Sequence, residues 1–217
     1  MTQEQKVDFI GVGAGKTETS WIHNCLDEHP QVCVPKIKEL HFFNKNHGLR
    51  KPEAEWNYKK GLNWYFSHFK HCKPGQIKGE MNVQYLYEKN ALELIKENFP
   101  DIKIIITLRD PIDRAYSHYT YYAQKNPNFK VKNFEEAIAK EKNFLERSLY
   151  YKYVKNCYNI FPEKNILVLV YEDLKKDPAL YIKKIYQFLG VNIDFTPPSL
   201  TKKVNPTQKR PWKIIKA

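Results

Sequence analysis

Residues 9–21, reading FIGVGAGKTETSW, constrain the fold more than any other stretch of this chain. An apolar segment over 7–12 predicts a strand, and it runs into Gly11, Gly13, Ala14 and Gly15, then Lys16. Thr17, Glu18, Thr19 and Ser20 follow, after which Trp21, Ile22, Cys25 and Leu26 fall on one side of a helix. A strand, a glycine loop and a helix start form a cradle for a phosphate-like anion. Glycines let the backbone turn tightly with its N–H groups inward, and the helix N-terminus adds partial positive charge. Lys16 supplies a full charge, and the hydroxyls of Thr17, Thr19 and Ser20 supply compact donors. An ordinary glycine turn explains the glycines but not the lysine and hydroxyls beside them. The nucleoside-triphosphate loop needs four residues between its glycines. Only Val12, Gly13 and Ala14 separate Gly11 from Gly15, and Ile10 stands where the first glycine belongs, so that pattern fails by one residue.

Beyond the loop, strands and helices alternate. Strands are predicted over 32–34, 76–81, 103–108 and 166–171, with KIIITL at 103–108 the clearest buried parallel strand. Helices are predicted over 19–28, 90–98, 113–124, 133–141, 144–160 and 178–189, the last closed by Gly190. Residues 44–74 read as loop with a short helix over 56–68, and 191–217 as a proline-containing tail. This alternation implies one α/β domain over residues 1–217, a parallel sheet flanked by helices, with ligands at the carboxyl ends of the strands.

At 217 residues the chain can bury a proper core, and 42% hydrophobic with 14% aromatic residues excludes a disordered polymer. No apolar run reaches the length of a membrane span and the first residues lack a signal-peptide core, so a cytoplasmic location is expected. The net charge of +12 suggests an acidic partner. Nucleic acid fits such basicity, but the lysines are dispersed, and a polyanionic cofactor, an anionic acceptor or simple solubility explains them as well. Cys25, Cys33, Cys72 and Cys157 show no metal-ligand spacing and neither do the histidines. Cys25 and Cys33 are expected to be buried thiols, and no metal is expected.

Two further clusters carry chemistry. Arg109 ends the 103–108 strand, Pro111 opens a helix and Ser117 lies two turns along it, so a guanidinium fork and a hydroxyl could share a phosphate. A surface ion pair of Arg109 with Asp110 or Asp113 is the structural alternative. At 35–43, PKIKELHFF sets Glu39 and His41 beside two phenylalanines and among Lys36 and Lys38. There the alternative is a strand end whose rings pack the core while Glu39 pairs with a lysine.

In the segment Lys16, Thr17, Thr19, Ser20, Trp21 the chain resembles the 5′-phosphosulfate loop of sulfotransferases that use 3′-phosphoadenosine 5′-phosphosulfate (PAPS). Glu18 stands where that family has glycine. Arg109 and Ser117 resemble the family's 3′-phosphate motif, with Arg114 and Tyr119 fitting the surrounding pattern. Residues 38–43 resemble the segment of carbohydrate O-sulfotransferases that holds the catalytic base. Glu80 and Tyr85 match a further family segment in part, while Met81, Asn82 and Val83 depart from it and remove a lysine that some relatives use near the acceptor. Lys209 and Arg210 loosely resemble a basic loop that closes over the nucleotide.

The resemblance spans roughly residues 7–212 and implies a P-loop-kinase-like sulfotransferase fold. It implies in-line transfer of a sulfuryl group from PAPS to a hydroxyl of a carbohydrate or small metabolite. Glu39 would be the general base with His41 assisting, and Lys16 would neutralise charge on the oxygen leaving sulfur. Gly13 to Ser20, Arg109, Ser117, Lys209 and Arg210 would hold the cofactor, without metal, and Trp21 flanks the nucleotide or joins the core. Glu18 is expected to turn outward and to avoid positive φ. The rival readings are a P-loop kinase using ATP and magnesium, and a polyanion- or nucleic-acid-binding module.

Overall fold

The computed structural model describes residues 6–45 and 56–202. Five strands, β1 (Phe9–Gly13), β2 (Val32–Cys33), β3 (Ile77–Met81), β4 (Lys103–Leu108) and β5 (Ile166–Val170), form one sheet in the order β2-β3-β1-β4-β5. Every pairing is parallel. The central strands are covered on both faces, which is why they read as continuous apolar runs. Ile10 and Val12 of β1 join Ile104 and Ile106 of β4 in one core, while Phe9 and Ile105 point into the other. The first core takes residues of α2 (Gly61–Ser67), α3 (Lys89–Asn98) and α7 (Tyr150–Ile160). The second takes α1 (Thr19–Asp27), α8 (Tyr171–Lys176) and α9 (Pro178–Leu189). Gly11 lies so close to the Met81 thioether that a Cβ there would collide with it, which keeps β1 and β3 in close contact.

The expected elements are present with three changes. The helix expected over 144–160 is split into α6 (Asn143–Glu146) and α7. The break exists to serve Arg114, fully buried on α4 (Pro111–Lys125). Its Nε donates to Ser148 Oγ and its Nη2 to the Phe144 carbonyl, both at 2.5 Å. A continuous helix would have spent that carbonyl internally, and a buried guanidinium without acceptors is costly. Strand β5 stops at Val170, and Tyr171 begins α8. Cys33 is not a free thiol but is disulfide-bonded to Cys72, while Cys25 and Cys157 are free and buried. Spacing in the chain could not reveal a partner 39 residues away.

Residues after α9 fold back on α1. Ser199 donates from its amide and hydroxyl to the Glu28 carboxylate at 2.8 and 2.6 Å, and Trp21 Nε1 donates to the Ser199 carbonyl at 2.9 Å. Trp21 is thereby a core residue, 4% exposed. Phe134–Lys140 (α5) packs with α4 and α6 around Tyr119, Ala137 and Phe144. No helix among the described residues is long and apolar enough to cross a membrane.

Candidate active site

The glycine loop leaves the carboxyl end of β1 and is tied down to β4. Gly13 has φ 145°, where a Cβ would press on Leu86 and the Val83 carbonyl. Ala14 donates from its amide to the Thr107 carbonyl at 2.7 Å. Thr17, fully buried, donates its hydroxyl to the Ala14 carbonyl at 2.7 Å and lies 2.5 Å from the Thr107 hydroxyl. That hydroxyl therefore braces the loop from behind rather than facing the cradle. Thr19 is buried, and Gly15, Lys16, Glu18 and Ser20 are half-buried. The Glu18 carbonyl accepts from the amides of Trp21 and Ile22 at 2.9 and 3.1 Å, so the helical ladder starts there. Amides earlier than this have no carbonyl of the helix to bond, which is the usual anion-binding situation of a helix start.

Glu18 departs from expectation. It is left-handed, with φ 59° and ψ 29°, at the N-cap of α1. It occupies the conformation a glycine would take there, instead of avoiding it. Its carboxyl is half-buried and pushed above the usual carboxylate range by desolvation, against the opposing pull of Lys16 and Arg109. Lys16 is also left-handed, with φ 74°, and its ammonium sits 3.6 Å from the centre of the Tyr121 ring.

Arg109 comes to the loop from the end of β4. Its Nη1 donates to the Lys16 carbonyl at 3.3 Å, its Nη2 lies 3.5 Å from the Asp113 carboxylate, and it covers the Tyr171 ring at 4.8 Å. The Asp113 contact is the ion pair given as the structural alternative, and the same side chain also bonds to the glycine loop. Its Nε is buried with no hydrogen-bond partner among the described residues. Ser117 is half-buried two turns along α4. Lys209 and Arg210 lie outside the described residues.

The third segment reaches the same end of the sheet. Glu39 donates from its amide to the Met81 carbonyl at 3.3 Å, and Met81 is the register partner of Gly11 on β1. Glu39 and His41 both adopt positive φ, 63° and 50°. Glu39 Oε1 is 2.7 Å from Lys38 Nζ, and Oε2 is 3.7 Å from His41 Nε2. His41 Nδ1 lies 3.3 Å from Asn44 Oδ1, an orientation that leaves Nε2 towards the glutamate. Beneath this turn Glu80 is buried, and its Oε1 accepts from the hydroxyls of Tyr65 and Tyr85 at 2.9 and 3.0 Å. The Tyr85 oxygen accepts in turn from the Phe42 amide at 3.1 Å. Burial raises the Glu80 carboxyl to about 7 in spite of the two phenols.

The four non-glycine residues with positive φ among those described, Lys16, Glu18, Glu39 and His41, all lie in these two segments. Such conformations cost about 1–2 kcal/mol each and persist where the surroundings force them. The sequence model of the sulfotransferase domain matches residues 6–213. The chain belongs to that family. It is 28% identical over 208 residues to the human bifunctional heparan sulfate N-deacetylase/N-sulfotransferase 3, covering 84% of this chain and 22% of that protein. It is likewise 28% identical over 197 residues to the human heparan sulfate glucosamine 3-O-sulfotransferase 3B1, covering 87% of this chain and 47% of that protein. The chain thus spans less than half the length of either curated relative. Among solved structures, a sulfotransferase from Alicyclobacillus acidocaldarius superposes with a TM-score of 0.77 at 28% identity, over 93% of this chain and 87% of that one.

Within this sulfotransferase domain, sequence reasoning misses residues that shape the site without lying in its motifs. Lys38 is the exception, since it lies in the 38–43 segment and makes the lysine pairing with Glu39 that the structural alternative names. His23, on the helix that follows the glycine loop, is buried, and desolvation first and the Lys38 charge second lower it to about 4. Tyr65 and Tyr121 carry no signal, because their partners Glu80 and Lys16 are brought to them only by the fold. Glu80 and Tyr85 are visible through their partial match, but not as the support of the Glu39 turn.

Proposed function

We propose that this sulfotransferase domain transfers a sulfuryl group from PAPS to a hydroxyl of a carbohydrate acceptor. The observation that carries the reading is the gathering of the strained glycine-loop residues and the strained Glu39–His41 turn at the carboxyl ends of adjacent strands β1 and β3. PAPS supplies the sulfuryl group. The loop from Gly15 to Ser20 offers backbone N–H groups to its 5′ end, and Lys16 balances the charge released when the sulfur–oxygen bond opens. Arg109 and Ser117 bind the 3′-phosphate, with the buried Arg109 Nε as a donor in want of an acceptor. Glu39 takes the acceptor proton, with Lys38 holding one of its oxygens at 2.7 Å and His41 lying 3.7 Å from the other. No step in this mechanism calls on a metal.

A carbohydrate acceptor is favoured by the surface next to Glu39. Asn57 Nδ2 donates to the Leu40 carbonyl at 2.9 Å, joining that turn to an aromatic and basic segment. There Trp56 stacks on Tyr58 at 5.1 Å, and Lys45 and Lys60 lie over the rings of Trp56 and Trp64 at 4.7 and 4.9 Å. Rings of this kind pack against sugar faces and lysines favour acidic groups, in keeping with the heparan sulfate named for the relatives. The test is transfer of labelled sulfate from PAPS to a panel of an unsulfated uronic acid-containing glycan, a neutral oligosaccharide and a phenol. Label in the acidic glycan that disappears with Glu39→Gln is expected. Label in the phenol alone would overturn the acceptor class, and magnesium-dependent ATP turnover without sulfate transfer would overturn the reaction.

A further inference from the structure

We propose that Cys33, His71 and Cys72 form a divalent-metal site, of the kind that takes zinc, which opens when the Cys33–Cys72 disulfide is reduced. The site is separate from the Glu39 and Lys16 chemistry and does not rest on the proposed reaction. Cys33 ends β2 and is buried, while His71 and Cys72 follow α2, with His71 exposed to solvent. His71 Nε2 is 3.5 Å from Cys33 Sγ and 3.2 Å from the Val34 carbonyl. The two sulfurs and an imidazole nitrogen all lie within 4.8 Å of one another.

The spacing suits a metal. Tetrahedral zinc with bonds of about 2.3 Å to sulfur and about 2.0 Å to nitrogen sets sulfur and nitrogen ~3.5 Å apart and the sulfurs ~3.8 Å apart. The edge from His71 Nε2 to Cys33 Sγ, at 3.5 Å, is therefore already in place, and the sulfurs must separate. Two thiolates with one imidazole select zinc over magnesium or calcium, and three protein ligands leave the fourth position to water. The reaction balances through a dithiol reductant, whose two electrons break the S–S bond while it closes into its own cyclic disulfide. Cys33 and Cys72 receive its two protons as thiols. The metal then displaces those two protons, while His71 gives up its Nε2–H bond to the Val34 carbonyl, moves its single proton to Nδ1 through solvent and binds through Nε2. The disulfide and the metal each close the same loop, residues 34–71, which contains Glu39 and His41.

The test uses the full chain with Co²⁺ as a spectroscopic probe and Zn²⁺ as its competitor. Thiol titration of the unfolded protein first fixes the starting state, with two of the four cysteines reactive before reduction and all four after it. After reduction and anaerobic removal of the dithiol, one Co²⁺ per chain should bind with the visible bands of tetrahedral thiolate coordination, and Zn²⁺ should erase them. Cys33→Ser and Cys72→Ser should each lose the bands, and His71→Ala, which leaves the disulfide intact, should shift them and weaken binding at least tenfold. Cys157→Ser should leave them unchanged. A reduced chain that binds no Co²⁺, equal uptake by the oxidised chain, or an unaltered spectrum in His71→Ala would each overturn the proposal.

Discussion

The glycine loop and the Glu39 turn stand at the ends of neighbouring strands, yet they are held differently. The loop is braced within its own turn and by one residue of the adjacent strand: the Thr17 hydroxyl bonds to the Ala14 carbonyl and meets the Thr107 hydroxyl, and the Ala14 amide bonds to the Thr107 carbonyl. The Glu39 turn is held by side chains drawn from afar, with Tyr65 and Tyr85 on Glu80, Asn57 on Leu40, and the Cys33–Cys72 cross-link around the whole segment. A site that must grip one constant anion can be built from a short motif. The Glu39 turn depends instead on contacts between residues that only the fold brings together. The departures at Met81, Asn82 and Val83 fall in the second kind of region.

Breaking each side separately sharpens the contrast. The largest effect is expected from Glu39→Gln, which keeps the shape but cannot take a proton. Turnover should fall by about 10²–10⁴-fold while PAPS affinity, measured by calorimetry, stays within twofold. A comparable loss of nucleotide affinity would show that the two sides are not separable.

Glu80 offers a test through pH. Its folded-state value of about 7 lies above the ordinary carboxylate range, so the native protein holds its proton more tightly than the unfolded chain. The resulting stability is complete at acid pH below the unfolded value and is lost as pH rises through 7. Between pH 5 and pH 8 the loss should be roughly 2–3 kcal/mol, each tenfold difference in proton affinity between the folded and unfolded chain being worth about 1.4 kcal/mol. Urea midpoints across that range should fall in the parent and stay level in Glu80→Gln. An equally steep fall in the variant would assign the dependence to other groups.

The smallest effect belongs to Glu18→Gly. Glycine accepts the left-handed conformation without penalty and removes a carboxylate from beside Lys16 and Arg109. PAPS affinity should hold or rise, by no more than about tenfold, and stability should rise by about 1 kcal/mol. A marked loss of affinity would give the Glu18 carboxylate a role of its own in the donor site.

The contrast also explains what the sequence could show. The order of strands and helices follows from the buried KIIITL run, the apolar ILVLV run that forms a half-buried edge strand, the N-cap and proline at Asp110–Pro111, and Gly190 at the end of α9, all of them local signals. The loop residues are legible because their chemistry is contiguous. The split between α6 and α7 is not, because its cause is the buried guanidinium of Arg114, 30 residues from the carbonyl it bonds. The same holds for Cys33 with Cys72 and for Glu80 with Tyr65, where chain spacing says nothing and only folding brings the partners together. The left-handed Glu18 defies the sequence reading for a different reason: side-chain preference argues against a conformation that the loop imposes.

The central claim is that the Lys16 loop and Arg109 together recognise a nucleotide carrying a 5′ anion and a 3′-phosphate. Calorimetric titration of the full chain with adenosine 3′,5′-bisphosphate, AMP and ATP, repeated with Arg109→Ala, tests it most directly. The bisphosphate should bind at least tenfold more tightly than AMP or ATP without magnesium, and Arg109→Ala should remove that advantage, a charge-assisted phosphate contact being worth about 1.5–3 kcal/mol. Equal affinity for the bisphosphate and AMP, or preferential magnesium-dependent binding of ATP, would contradict the account.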